Sequence, residues 1–255
     1  MMRIISEIIT IARREVIRGV REKSRLLGSL GRPFVWLFLL GTGLRQVAVS
    51  TLPAGVTDYQ HFIFPGMIVM NILFASIMAG TSLIWDREFG FLKEILVAPV
   101  SRTSIALGKM FGGAALAVIQ GALVFLFIPV LGIPVDVIRL LLVVPCLFLV
   151  ASAITSLGML IAVRMRSFEG FGIMNNFVVM PMFFLSGAMY SVTKVPDWLK
   201  IIIQVNPVNY AVDLIRSIFL GIPSNYNYLL DIVVLAGMAI VLQSIVVYLF
   251  HHEKG

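Results

Sequence analysis

The sequence predicts an all-α polytopic membrane protein, and three observations support this prediction. Of the 255 residues, 59% are hydrophobic and only 13% are charged, about half the charged share of an ordinary soluble domain. Six apolar segments are long enough to cross the hydrocarbon of a bilayer as helices. The Lys and Arg residues gather on one side of these segments. A soluble fold of this length could not bury so much apolar surface in one core.

The N-terminal residues 3–25 form an amphipathic segment rather than an apolar one. Apolar residues recur at helical spacing on one side, and basic residues occupy another. Because no apolar run here is long enough to span, we expect a helix on the membrane surface with its basic side near anionic lipid headgroups. A helix that packs on a soluble partner is the alternative. The residues assigned to the membrane-surface side are Arg14, Arg18, Arg21 and Arg25.

The chain is interpreted as one domain with six spans. A cytoplasmic surface helix covers residues 1–32, a six-helix bundle covers residues 33–250, and a cytoplasmic tail covers residues 251–255. In the first span, Arg45 lies near the far end, where its long side chain can reach the interface. The predicted spans are residues 33–50, 62–85, 108–133, 140–163, 170–190 and 229–250.

The distribution of Lys and Arg predicts the orientation. With six spans both termini lie on one side, and about 15 of the 20 Lys and Arg residues fall on that side. Cytoplasmic loops are the ones that carry such an excess. We therefore expect a multi-pass protein of the cell (inner) membrane with both termini in the cytoplasm.

The chemistry of several other membrane-protein classes is missing from the sequence. No nucleotide-binding loop is present, so the chain is not expected to hydrolyse ATP or to act as an enzyme. No paired carboxylates were found within the predicted spans, which disfavours an ion-coupled carrier and an intramembrane protease. No metal-ligand cluster is visible, since His251 and His252 are interpreted as part of a solvated tail. The uneven charge is better explained by membrane orientation than by nucleic-acid binding.

The loop after the second predicted span carries a helical pattern. Phe89, Leu92 and Leu96 recur on one side, and Pro99 ends the pattern. A short amphipathic helix over residues 86–98 is therefore predicted. From periodicity alone, this helix could lie on lipid or dock into a groove on a soluble partner.

The loop between the fifth and sixth predicted spans is apolar but broken. Three prolines interrupt it, so its helical pieces are too short to cross. Irregular backbone at membrane depth is tolerated where it is buried in protein or lines a cavity. A re-entrant helical hairpin over residues 196–219 is predicted, with an ordinary surface loop as the alternative. The residues assigned to it are Trp198, Asn206, Pro207, Tyr210, Asp213 and Arg216.

Polar and adaptable side chains within the spans are candidates for a substrate pathway. Amides in the second and fifth spans are costly in lipid, and methionines make an apolar surface adaptable. Helix–helix hydrogen bonds and plain packing explain the same residues at least as well. The candidates are Asn71, Asn175, Asn176, Met180 and Phe184.

Taken together, the two loops resemble those of the type-2 family of ABC exporter permeases, especially the group of daunorubicin-resistance and nodulation-factor export permeases. Three stretches carry the resemblance: residues 85–102 (WDREFGFLKEILVAPVSR), residues 184–190 (FLSGAMY), and residues 196–199 (PDWL) followed by residues 206–216 (NPVNYAVDLIR). With the six spans, the resemblance extends over nearly the whole chain.

The resemblance implies a half-transporter that pairs with a second copy of itself above two copies of a soluble ABC ATPase subunit. ATP and Mg would bind to that subunit, and this chain would need no cofactor. An amphiphilic drug, a lipid or a lipid-linked glycan would be exported, past a hairpin near the outer exit. The alternatives are a passive channel, a lipid scramblase, or a membrane anchor for a soluble partner. The resemblance also implies a coupling helix at residues 86–98, which contacts the ATPase through Glu88, Phe89, Leu92, Glu94 and Leu96.

Overall fold

The computed structural model describes residues 2–45, 52, 56, 58–89, 100–134, 136–165 and 167–252. Helices dominate this part of the chain. Two short 3-10 segments also occur, at Val124–Phe127 within the fourth helix and at Val192–Lys194 before the seventh. The helices are α1 (Met2–Arg21), α2 (Lys23–Gly43), α3 (Tyr59–Glu88), α4 (Arg102–Leu131), α5 (Val137–Arg164), α6 (Phe168–Phe184), α7 (Asp197–Val205), α8 (Pro207–Leu220) and α9 (Tyr228–His252).

Five of the described helices are long and apolar enough to cross a membrane, namely α2, α3, α4, α5 and α9. The prediction of an all-α polytopic membrane protein is therefore confirmed. Helix α6 takes the place of the predicted fifth span but has 17 residues, about 25 Å at 1.5 Å per residue, against a hydrocarbon thickness of about 30 Å. The count of six spans stays a prediction.

The first span begins earlier than predicted. Helix α2 is continuous from Lys23, and Pro33 lies inside it rather than in its first turn. Proline disturbs the hydrogen-bond ladder because it lacks an N–H, and the helix adopts π geometry directly afterwards, at Val35–Leu40. The first helix ends at Arg21, and the boundary between surface helix and bundle at residue 32 stays a prediction.

Helix α1 lies across α4 at close range. A Cβ atom on Gly108 would stand 2.7 Å from Cβ of Ile11, and one on Gly112 would stand 2.8 Å from Cβ of Glu15. Small residues on α4 thus let the two backbones approach. Only one edge of the apolar stripe of α1 is covered in this way, and the other edge suits the surface of a membrane. The exposed apolar residues of α1 include Ile4, Ile5, Ile9 and Val20.

Helix α3 forms the centre of the bundle, because every residue from Phe62 to Ile77 is buried. Helices α4, α5 and α8 surround it. The closest approach to α5 is at a pair of glycines. A Cβ on Gly158 would lie 2.8 Å from Cα of Ile77, and one on Gly80 would lie 2.5 Å from the Gly158 carbonyl oxygen. The bundle therefore depends on the absence of side chains at this crossing.

The two ends of the bundle carry different elements. At the end called here the basic end, α1 lies across the bundle, α3, α5 and α9 terminate, and α4 begins. The Arg102 guanidinium joins two of these elements, since it donates to the carbonyls of Phe250 and His251 at 2.9 and 3.1 Å. At the opposite end, called the hairpin end, the short helices α7 and α8 meet at Asn206. Helix α8 is largely buried, so an ordinary surface loop does not describe it.

We expect Gly158→Ala to destabilise the bundle, because the added methyl group meets the backbone of α3. Overpacking of this kind costs about 1–3 kcal/mol. The matched control is Gly237→Ala in α9, where a Cβ meets nothing within 4 Å. Unfolding of both variants by SDS in mixed micelles measures the effect. Equal stability of the two variants would contradict the close crossing of α3 and α5.

Candidate functional site

The predicted coupling helix falls mostly outside the described residues. Leu92, Glu94 and Leu96 lie there, so their predicted contacts stay predictions. Glu88 ends α3 and Phe89 follows it, and both side chains are exposed. What the structure describes is the root of that segment, residues 85–89, and the groups that hold it. We call residues 85–89 the loop root.

A buried ion cluster holds the loop root to two other helices. The Lys109 side chain on α4 is 3% exposed, and its Nζ lies 2.5 Å from Asp86 and 3.4 Å from Glu15 of α1. It also donates to the Ser82 hydroxyl at 3.2 Å. The Lys109 ammonium group thus pairs with two carboxylates and also meets one hydroxyl oxygen. Lys109 therefore joins α1, α3 and α4.

A second anchor fixes the loop root to α5. The Arg87 guanidinium donates to the carbonyls of Met165 and Val163 at 2.7 and 3.2 Å. These carbonyls belong to the last turn of α5 and the residue after it, where intrahelical partners run out. A cation at a helix C-terminus also interacts favourably with the helix dipole. Two consecutive residues, Asp86 and Arg87, thus bind the loop root to two different helices, α4 and α5.

Helix α1 is also attached to the first turn of α4. Ser101 caps α4, and its backbone N–H donates to the Glu7 carboxylate at 3.3 Å. The Ser104 hydroxyl, the Ser101 N–H and Arg3 lower the pKa of Glu7, against a partial desolvation that raises it. Glu7 therefore favours its ionised form at the N-terminus of α4, which is where a helix favours negative charge.

Aromatic stacking continues the loop root towards the surface. The rings of Trp85 and Phe89 stack with centroids 4.8 Å apart, and Trp85 also meets Phe168 of α6 at 5.1 Å. Arg14 and Arg18 of α1 line a cleft beside Asp86 and Phe89. Two of the four predicted surface arginines thus border the loop root. Of the other two, Arg21 ends α1, while Arg25 belongs to α2 and pairs with Glu22 at 3.6 Å.

At the hairpin end, Asn206 joins α7 and α8 and holds the end of α6. Its side chain caps α8 by accepting from the Val208 N–H, and its amide donates to the carbonyls of Met182 and Leu185 at 2.6 and 2.9 Å. Pro207 takes the first helical position of α8, where no N–H is needed. The Tyr210 hydroxyl donates to the Gln204 carbonyl at 2.8 Å, across the same corner. Trp198 of α7 is exposed.

Arg216 of α8 holds the segment that follows α6, at Gly187 and Ala188. Its guanidinium donates to the carbonyls of Gly187 and Ala188 at 3.0 and 2.8 Å and lies over the ring of Phe62. Gly187 has a φ of 68°, a backbone conformation that favours glycine. Two of the stretches that carry the family resemblance, residues 184–190 and 206–216, are therefore one structural unit.

The predicted pathway residues are not brought together. Asn71 is buried and donates to the Gln120 carbonyl at 2.7 Å, which is the helix–helix bond offered as the alternative. Asn175 is buried, and its Oδ1 has no partner among the described residues. Asn176, Met180 and Phe184 are exposed on α6. They share a face whose most exposed member is Phe177, at 77%.

The sequence interpretation overlooked two charged positions. Arg32 was assigned to the cytoplasmic segment, but it lies within α2, with its guanidinium 3.9 Å from the centroid of the Phe74 ring. A carboxyl group inside a predicted span was also overlooked. Asp231 lies in the first turn of α9, inside the predicted sixth span, and shares the Ser224 hydroxyl with Asp213 of α8.

Comparison with known proteins identifies several relatives. A family model described as ABC-2 type transporter matches residues 6–220 of this chain. The putative transport permease ycf38 of Cyanophora paradoxa is 32% identical over 217 residues, which cover 84% of this chain and 74% of that protein. Nodulation protein J of Rhizobium leguminosarum bv. trifolii is 30% identical over 200 residues, covering 78% and 75%. The inner membrane transport permease YadH of Escherichia coli (strain K12) is 31% identical over 166 residues, covering 65% and 64%.

We expect Lys109→Met to destabilise the protein strongly, because Asp86 and Glu15 then remain buried without their cation. Removing one partner of a buried ion pair typically costs about 3–5 kcal/mol. SDS unfolding in mixed micelles measures the loss, and adding Asp86→Asn to Lys109→Met should restore part of it. Lys200→Met is the control, since its partner Asp197 is almost fully exposed. Such surface pairs contribute about 0–1 kcal/mol, and a similar loss in both lysine variants would contradict the cluster.

Proposed function

This chain belongs to the ABC-2 type transporter family, and we propose that it is the permease subunit of an exporter driven by ATP hydrolysis in a separate subunit. The observation that supports this most directly is the anchored loop root. A loop that receives force from a soluble partner needs a stiff attachment to the spans. Asp86 and Arg87 supply that attachment, to α4 and to α5. Export follows if nucleotide binding favours one of two arrangements of the spans over the other.

The proposed docking surface combines the predicted coupling helix, residues 86–98, here called the coupling segment, with the basic side of α1. Exposed Glu88 and Phe89 leave the bundle next to Arg14 and Arg18. A partner that binds the segment would therefore also meet α1, which shares the Lys109 cluster with the loop root. We assign this end of the bundle to the cytoplasm, because it carries most of the basic residues. ATP and Mg would bind to the two copies of the ATPase subunit.

A second copy of the chain is proposed to pair along α6. Only one edge of α6 is buried, at Phe171, Asn175, Val179 and Phe183. The remainder is apolar apart from Glu169 and Asn176, and most of it is exposed. Trp36 of α2 contacts the end of α6 at Phe183, so α2 borders the same surface. In a dimer, this surface could both bury apolar area and border an amphiphile pathway.

The proposed substrate is an amphiphile: a drug, a lipid or a lipid-linked glycan. The apolar surface along α6 suits an acyl or aromatic part, and Asn176 offers hydrogen bonds to a polar part. Arg32, exposed on α2, would favour a negatively charged headgroup. A passive channel or scramblase would show flux without ATP, and a membrane anchor would show none.

Charged substitutions at the coupling segment should uncouple the two subunits. We expect Phe89→Glu with Leu92→Glu to abolish transport-linked stimulation of ATP hydrolysis in the partner subunit, because an apolar docking face would become anionic. Insertion of the permease into the membrane should be unchanged. ATPase assays on the reconstituted complex measure the effect, with Trp198→Glu at the hairpin end as the control for surface charge. Normal stimulated ATPase and export in the double variant would rule out the assignment.

Disulfide cross-linking tests the second copy. We expect a cysteine at Phe177 of α6 to form a disulfide between two copies in the membrane, in a Cys146→Ser background that removes the native thiol. A cysteine at Ile240 of α9 is the matched control, since Ile240 is 67% exposed in another helix. Gel mobility under non-reducing conditions gives the readout. Equal cross-linking at both positions, or cross-linking at Ile240 alone, would contradict pairing along α6.

A further inference from the structure

Two carboxyl groups meet at the hairpin end in very different surroundings. Asp213 of α8 accepts from the Ser224 hydroxyl at 2.7 Å, from the Asn225 backbone N–H at 2.8 Å and from the Asn225 side-chain amide at 2.6 Å. The Tyr226 N–H adds a longer bond of 3.3 Å. A carboxyl group with this many donors is stabilised as an anion. Asp213 is therefore the ionised member of the pair.

The carboxyl group of Asp231 has almost none of these hydrogen-bond donors. It is fully buried, and one carboxyl oxygen, Oδ1, has no hydrogen-bond partner among the described residues. The other, Oδ2, lies 3.2 Å from the Ser224 hydroxyl oxygen. A buried carboxylate with one oxygen unpaired, beside a second carboxylate, would be very costly.

The hydrogens at Ser224 decide which form Asp231 takes. A serine hydroxyl carries one hydrogen, and the short contact of 2.7 Å assigns it to the Asp213 anion. The Ser224 oxygen also accepts from the Tyr226 N–H at 3.3 Å. No hydrogen of Ser224 is left for Asp231, so the contact between them is a hydrogen bond only if Asp231 brings a hydrogen of its own.

The charged and titratable neighbours do not replace that hydrogen. On α8, Arg216 donates to backbone carbonyls, and the ring of Tyr210 contacts the ring of Tyr226 in the loop. At the start of α5, the Arg139 guanidinium lies against Gly221. Among the described residues no Lys or Arg pairs with Asp231. The N-terminus of α9 favours a negative charge modestly, which is too little to offset full burial beside the Asp213 anion.

We propose that Asp231 is a proton-binding site, a carboxyl group kept neutral at neutral pH that donates its hydrogen to Ser224. This bond fastens the first turn of α9 to the loop that follows α8, and through Asp213 to α8 itself. If the proton leaves, two anions face one hydroxyl hydrogen and the junction loosens. The proton is therefore a ligand of the hairpin end, independent of any ATPase partner.

Infrared spectroscopy of the purified full chain at neutral pH tests the site, because a protonated carboxyl group absorbs apart from a carboxylate. We expect the wild-type protein to show a protonated carboxyl band that Asp231→Asn removes and Asp213→Asn retains. The two variants make the same chemical change within one cluster, so Asp213→Asn controls for general disturbance of the loop. Absence of the band from the wild type, or its persistence in Asp231→Asn, would overturn the proposal.

The same two variants give opposite expectations for stability. An amide at position 231 can donate to Ser224 as the neutral acid does, so the unfolding equilibrium should change by less than about threefold. An amide at position 213 places its own NH2 donors against the donors that surround Asp213. The unfolding equilibrium should then shift towards the unfolded state by about tenfold or more. SDS unfolding in mixed micelles measures both. Loss in Asp231→Asn equal to that in Asp213→Asn would also overturn the proposal.

Discussion

Charge buried at the edge of a bilayer must be paired, and Lys109 shows how much of the basic end depends on this constraint. Its ammonium group pairs with the carboxylates of Asp86 and Glu15 and donates to the Ser82 hydroxyl. These partners lie on two elements: α1, and the end of α3 where the proposed coupling segment begins. The glycines of α4 make the arrangement possible, since a side chain at Gly112 would push α1 away.

Such contacts divide the bundle into helices that are joined by polar side chains, called here the stiff part, and a helix that is joined only at its ends. Helices α1, α3 and α4 share the ion cluster, α5 joins them through Arg87, and α9 joins them through Arg102. Helix α6 is held at its ends, by Trp85 on Phe168 and by Asn206 at its last turn, while most of its length is bare. An export cycle of the kind proposed would move the stiff part as a unit and change what borders α6.

The elements that could be predicted from the sequence are those that depend on the length of apolar runs and on the positions of prolines. The spans, the two-helix hairpin and the surface helix all follow from the cost of placing polar backbone in lipid. The sequence could not predict partners across the bundle. Lys109 and Asp86 lie in different segments, and nothing in their spacing says that they meet. Pro33 looked like the start of a helix because that position tolerates proline, whereas α2 accommodates it inside by a π-helical turn. Asp231 was missed because its partner, Asp213, lies in another element.

The central claim is that α1 and the loop root move together when a partner subunit binds nucleotide. Spin labels at Arg13 and Glu88, both exposed, would measure their separation by pulsed electron resonance in the reconstituted complex, with labelled chains diluted into unlabelled ones. A second sample with Glu88 labelled in both copies measures the distance across the dimer. The account predicts that a non-hydrolysable ATP analogue leaves the first distance unchanged and alters the second. A changed distance between Arg13 and Glu88 with an unchanged distance across the dimer would contradict it.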